Sequence, residues 1–196
     1  MNIDNLHPLT RNTLNVALIV ISGSLCLLLS PTRLPGMEVL GIGPSWVVMW
    51  TIVWSLRRSM WHAATAGIVL GLIQDRMTLP DVDPIGTLPS HVLSLTAVGV
   101  LTVWLEKSRY INDAPIPASI AAFMLTIVNE AIFGSQYLLR NTGGLPGISF
   151  DSLSYVWIDR SAVTLIAAVL SALWMPLLYF PLHLWWKRVF AAKKLV

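Results

Sequence analysis

Charge is what this chain has least of. Of its 196 residues only 12% are Asp, Glu, Lys or Arg, against 55% hydrophobic residues and a mean hydropathy of +0.68. Soluble domains carry about a quarter charged residues, so this chain has too little charge to cover a water-facing surface. Cysteine is almost missing too. Cys26 stands alone in an apolar run, which excludes a disulfide framework and a thiolate metal site; it reads as a small packing residue. The histidines, His7, His62, His91 and His183, fall on different segments with no HExxH spacing, and no GxSxG occurs. Nothing marks a nucleophile or a substrate pocket, so the chain reads as a non-enzyme with no cofactor and no metal. The net charge of +3 is spread over helix ends, where it meets anionic lipid rather than nucleic acid.

What is present is apolar length. Runs near the 17–25 residues needed to cross a bilayer recur along the chain, and they predict an all-α polytopic membrane protein. The expected spans are 14–30, 39–56, 60–79, 85–105, 116–139 and 161–186, packed as a single bundle over 1–196. The first span is expected to be retained, because no small-residue cleavage pattern follows "CLLLSPTRLPG". The outer segment 140–160 opens with Gly- and Pro-rich turns. Its second half, "FDSLSYVWI", is expected to lie along the membrane surface as a short amphipathic piece.

Orientation follows from the basic residues. With both termini cytoplasmic, the inner segments hold Arg11, Arg57, Arg58, Lys107, Arg109, Lys187, Arg188, Lys193 and Lys194. The outer segments hold Arg33, Arg76, Arg140 and Arg160. That asymmetry is the positive-inside pattern, and Trp54, Trp61, Trp104, Trp185 and Trp186 lie beside the inner charges as interfacial tryptophans do.

Two helix faces carry information. In the third span Ala63, Gly67, Gly71 and Asp75 are four apart and share one side. Small residues let helix backbones approach closely in lipid, so this stripe is a packing face, within the bundle or against a partner. In the fifth span Ala118, Ala122, Thr126, Glu130 and Gly134 repeat the pattern, with Asn129 beside Glu130. A charged side chain at that depth costs about 2.5–3.5 kcal/mol on insertion scales, so Glu130 should point inward and find a partner. Asp75, Arg76, His91, Asn129 and Glu130 therefore form a candidate polar cluster, with Asp75 expected to reach His91 and Glu130 across the bundle.

The order of "PSWVVMWTIVWSL", "GIVLGLIQD", a glycine after a short outer loop (Gly86) and a helix ending "VWLEK" resembles the MreD family. "NEAIFG" in the fifth span and "ALWMPLLYFPLHLWWKR" closing the sixth, with Pro176, fit the same order over roughly residues 43–188. MreD is a small membrane protein of the bacterial rod-shape machinery. The resemblance implies a scaffold in the cytoplasmic membrane with MreC as direct partner, and MreB, RodA and a class B penicillin-binding protein in the same complex. The family is similar in helix arrangement to substrate-binding subunits of energy-coupling-factor transporters. A small-molecule-binding subunit is therefore the alternative.

Overall fold

The computed structural model describes residues 8–32, 36–78, 90–110, 114–142 and 150–193. Among them are six helices: α1 (Pro8–Leu29), α2 (Trp46–Ser55), α3 (Met60–Thr78), α4 (His91–Lys107), α5 (Pro115–Thr142) and α6 (Phe150–Lys193). No strand occurs among the described residues, only one isolated bridge between Val39 and Ile42. Helices are the only regular elements among the described residues.

Three of these helices are long and apolar enough to cross a membrane, over Asn12–Leu29, Pro115–Gln136 and Arg160–Lys187. Their outward faces are apolar as well. Val20, Ile21 and Leu28 on α1, Ile116 and Ile120 on α5, and Val169, Leu173 and Leu177 on α6 are all exposed. α3 adds Val69 and Leu72 to this belt. Water tolerates little contiguous apolar surface of this kind, whereas lipid tails suit it.

The second expected span is corrected. Its helical part has only 10 residues, about 15 Å at 1.5 Å per residue, roughly half of a 30 Å hydrocarbon layer. The run breaks at Val39–Ile42, where the two residues exchange backbone hydrogen bonds of 3.0 Å each. Leu40 (φ 54°) and Gly41 (φ 76°) turn between them, which is the geometry of a two-residue type I′ turn. Gly43 and Pro44 then delay the helix until Trp46. Non-helical backbone at membrane depth is tolerated only inside protein or along a water-filled cavity, and this loop lines two cavities described below.

α2 is the core of the molecule. Every residue from Trp46 to Ser55 is buried, and α1, α3, α4, α5 and α6 all pack on it. A helix apolar on all sides has no face to offer water, and here protein rather than lipid covers it. Ser45 N donates to Ser171 Oγ at 2.9 Å. α2 therefore starts partway along α6, roughly 16 Å from Arg160 at 1.5 Å per residue. On its other flank Trp50 Nε1 donates to Ser22 Oγ at 2.9 Å, and the indole packs against Gly23. Ser22→Ala removes that acceptor and leaves the indole packing in place. The expected loss is about 1 kcal/mol, read from SDS-driven unfolding in mixed micelles.

Two further boundaries differ from expectation. α4 begins at His91, and the predicted start near Ile85 lies outside the described residues. The segment from Phe150, expected to be a separate surface piece, is helical and continuous with α6. No proline or glycine occurs between Phe150 and Met175, so nothing stops the helix there. It also runs through Pro176 and Pro181, as membrane helices can when neighbouring groups compensate the missing donors.

Candidate functional site

The α3–α4 hairpin builds the first site. Ala63, Gly67 and Gly71 are buried along one side of α3, and α4 presses directly on them. A Cβ on Gly67 would sit 2.6 Å from both Leu95 O and Thr96 Cα, and one on Gly71 would overlap the Val92 backbone. Reciprocally, a Cβ on Gly99 would meet Ala63 O at 2.7 Å. The stripe is thus filled by α4 of the same chain. Two helix backbones approach this closely only where side chains are missing.

Asp75 continues the stripe by one turn and meets the start of α4. Its Oδ1 accepts from His91 N at 2.8 Å and lies 2.6 Å from His91 Nδ1, while its Oδ2 accepts from Ser90 Oγ at 2.7 Å. Ser90 is also the N-cap of α4, accepting from Val92 N at 3.1 Å. Gln136 of α5 completes the knot: its Oε1 accepts from Ser90 N at 2.8 Å and its Nε2 donates to Ser90 O at 3.2 Å. The first N–H groups of a helix have no partner of their own. Here they are satisfied from α3, from α5 and from the Ser90 cap, with a carboxylate at the positive end of the α4 dipole. Asp75 caps the next helix, not its own.

His91 is held on its other face by Phe133, with ring centroids 4.3 Å apart. The Arg160 guanidinium in turn lies 5.6 Å from the Phe133 ring centroid. Ser90, Asp75 and His91 are the residue types of a hydrolytic triad, but their order differs. The hydroxyl donates to the carboxylate, so the imidazole does not stand between them as a base on the serine. The geometry clamps helices.

Glu130 and Asn129 sit elsewhere. Asn129 Nδ2 donates to Glu130 Oε1 at 3.2 Å. Both line a cavity of about 260 Å³ with Gln74, Thr78, Ser30, Pro44 and Ser45. A neighbouring cavity of about 290 Å³ shares Ser30, Pro31, Gly43 and Pro44 with it and adds Glu38. Together they form a vestibule around the loop that enters α2, a cavity-lined setting of the kind such a loop requires. Arg76 is exposed on the outer side of α3. Of the five residues expected in one cluster, the structure brings Asp75 and His91 together and pairs Asn129 with Glu130. It leaves Arg76 apart from both, because Arg76 is rotated away from the Asp75 stripe.

Sequence reasoning missed Ser90, Gln136, Phe133 and Arg160. Ser90 had a signal, a serine directly before an apolar helical run. The other three had none. Among the described residues no group of three or more His, Cys, Asp or Glu side chains could hold a metal ion. No family description, no curated protein and no solved structure matches the chain.

Proposed function

We propose that this chain is a multi-pass protein of the bacterial cytoplasmic membrane, about six membrane-embedded helices in one bundle with both termini cytoplasmic. In this reading it serves without catalysis as a scaffold of the cell-wall elongation machinery, in the manner of MreD. Its direct partner is a bitopic MreC-type protein, which connects it to MreB, RodA and a class B penicillin-binding protein. The order of the motifs along the chain supports the reading.

In the structure the supporting observation is a groove of about 340 Å³ between α1 and α3. Gly23, Ser24, Thr65 and Ala66 are small residues on its walls, with Val69 at its edge, and Trp50 and Trp54 line its apolar floor. Small residues on two walls let a third helix approach closely, and a bitopic partner brings one helix. The test is affinity purification of the full chain from native membranes. An MreC-type protein is expected with the wild type, and Val69→Trp is expected to lower its recovery about tenfold, as interface substitutions near 1.4 kcal/mol do. Val69 is 54% exposed, so that substitution leaves the bundle packing in place.

The vestibule at Glu130 favours a second reading, the small-molecule-binding subunit of an energy-coupling-factor type transporter. The same purification separates the two. Recovery of an ATPase module without an MreC-type protein overturns the scaffold.

A further inference from the structure

We infer that the vestibule between α1, α2, α3 and α5 is a binding site for a primary ammonium group, held by Glu130, Asn129 and Gln74. The inference goes beyond the scaffold role and stands whether or not a partner docks in the α1–α3 groove.

Three independent observations converge on it. The first is a surplus of bare acceptors. Asn129 is 4% exposed and its Nδ2 is committed to Glu130, yet its Oδ1 has no partner. The Oε1 of Gln74 is likewise buried and unpartnered. Buried polar atoms are nearly always satisfied, so two orphan oxygens on residues that line the same cavity as Glu130 call for a donor from outside the chain.

The second is charge. The acids lining the two joined cavities are Glu130 and Glu38, and no Lys, Arg or His is among their described lining residues. A charged donor therefore suits the site better than a neutral one. The third is size and ligand type. A volume of about 260 Å³ far exceeds what a bare ion or a single water fills. Divalent ions seek six or more oxygens with several carboxylates. An –NH₃⁺ group instead offers three N–H donors, which matches the carboxylate and two carbonyl oxygens.

The other wall of the cavity supplies the complementary function. Val47 and Val48, in the first turn of α2, line it, and no side chain caps that helix end. Its N–H donors and positive dipole end suit an oxygen acceptor on the same ligand. An ammonium group with a hydroxyl or phosphate oxygen nearby satisfies both walls. Ethanolamine has this chemistry, free or as the headgroup of phosphatidylethanolamine.

The test uses the full chain in nanodiscs of phosphatidylglycerol alone, titrated with ethanolamine by calorimetry. Saturable binding is expected, while tetramethylammonium, which has no N–H, and sodium do not bind. Glu130→Gln is expected to weaken binding by about thirtyfold or more, as loss of one member of a buried charged pair does. If that variant does not reconstitute, Gln74→Met removes one acceptor at the cavity edge and is expected to weaken binding about tenfold. Repeating the titration in discs containing phosphatidylethanolamine identifies the source. A vanished signal marks the lipid headgroup as occupant, and an unchanged one marks a free amine; both support the site. Absence of ethanolamine binding in phosphatidylglycerol discs, equal affinity in the Glu130 variant, or equal binding of tetramethylammonium or sodium overturns it.

Discussion

Gly71→Leu is expected to separate the outer half of the α3–α4 hairpin and to cost about 3 kcal/mol or more. The position has no room even for a methyl group, since a Cβ there would overlap the backbone of Val92. Backbone cannot swing aside as a flexible side chain can. Overpacking a core costs typically 1–3 kcal/mol when side chains absorb the strain, and here a helix must move instead. Gly71→Ala gains about 1 kcal/mol of helix propensity, yet it is still expected to destabilise because its Cβ makes the same overlap. The measurement is SDS-driven unfolding in mixed micelles, followed by tryptophan fluorescence. Leu72→Ala, one residue away and 56% exposed, is the control and is expected to change stability by less than about 1 kcal/mol, as exposed substitutions do. Equal stability of Gly71→Leu and wild type would refute the packing assigned to this face.

Asp75→Ala is expected to cost about 3 kcal/mol and to loosen the start of α4. The substitution strips the acceptor from Ser90 Oγ, from His91 N and from the His91 ring at once. Removing one partner of a buried charged network typically costs 3–5 kcal/mol; His91 and Asp75 are 15% and 21% exposed, so the lower end applies. Asp75→Asn keeps the shape and one carbonyl acceptor, and is expected to cost about 1 kcal/mol, near one net hydrogen bond. Hydrogen exchange at the first turn of α4 gives the local readout. The double variant Asp75→Ala/His91→Ala should cost less than the sum of its single variants, because the second removal finds the contact already broken. Strict additivity would mean that the two side chains do not interact.

The two substitutions probe one design at different depths. Ala63, Gly67 and Gly71 remove side-chain bulk so that α3 and α4 touch, and Asp75 then sits where the α4 amides emerge. Closeness along the stripe is what makes the cap possible. A bulky residue at Gly71 would therefore be felt at Asp75 as well, through the distance between the two helix ends.

Much of this was legible in the residues. Spacing by four placed Ala63, Gly67, Gly71 and Asp75 on one face, because 3.6 residues per turn allows little else. Glu130 could be recognised as inward-pointing from the cost of leaving it in lipid. Grouping Glu130 with Asp75 was not legible. Both acids lie toward the same end of the molecule, but the relative rotation of α3 and α5 decides which pairs meet, and no local pattern encodes that rotation. Gln136, rather than Glu130, is the α5 residue that reaches the α4 cap.

The second span teaches the opposite lesson. Its breakers were in plain view: Gly41, Gly43 and Pro44 interrupt the run from Val39 to Leu56. Hydropathy averages across such a stretch because glycine and proline are not charged, so a turn followed by a half-length helix resembles one full span. The uniform apolarity of "WVVMWTIVWS" did not separate the two, since a helix facing lipid and one enclosed in protein are both apolar all round.

By itself, then, the sequence determined the all-helical class, the apolar belt, the small-residue face of α3 and the inward direction of Glu130. Each of these follows from composition or from the helical period, which act locally. The tertiary structure alone decided that α2 is a short central core, that Asp75 caps α4 while Glu130 lines a separate vestibule, and that Asn129 and Gln74 keep acceptors unpaired there. Those outcomes depend on how helices rotate and slide against one another, and only the packed bundle sets those degrees of freedom.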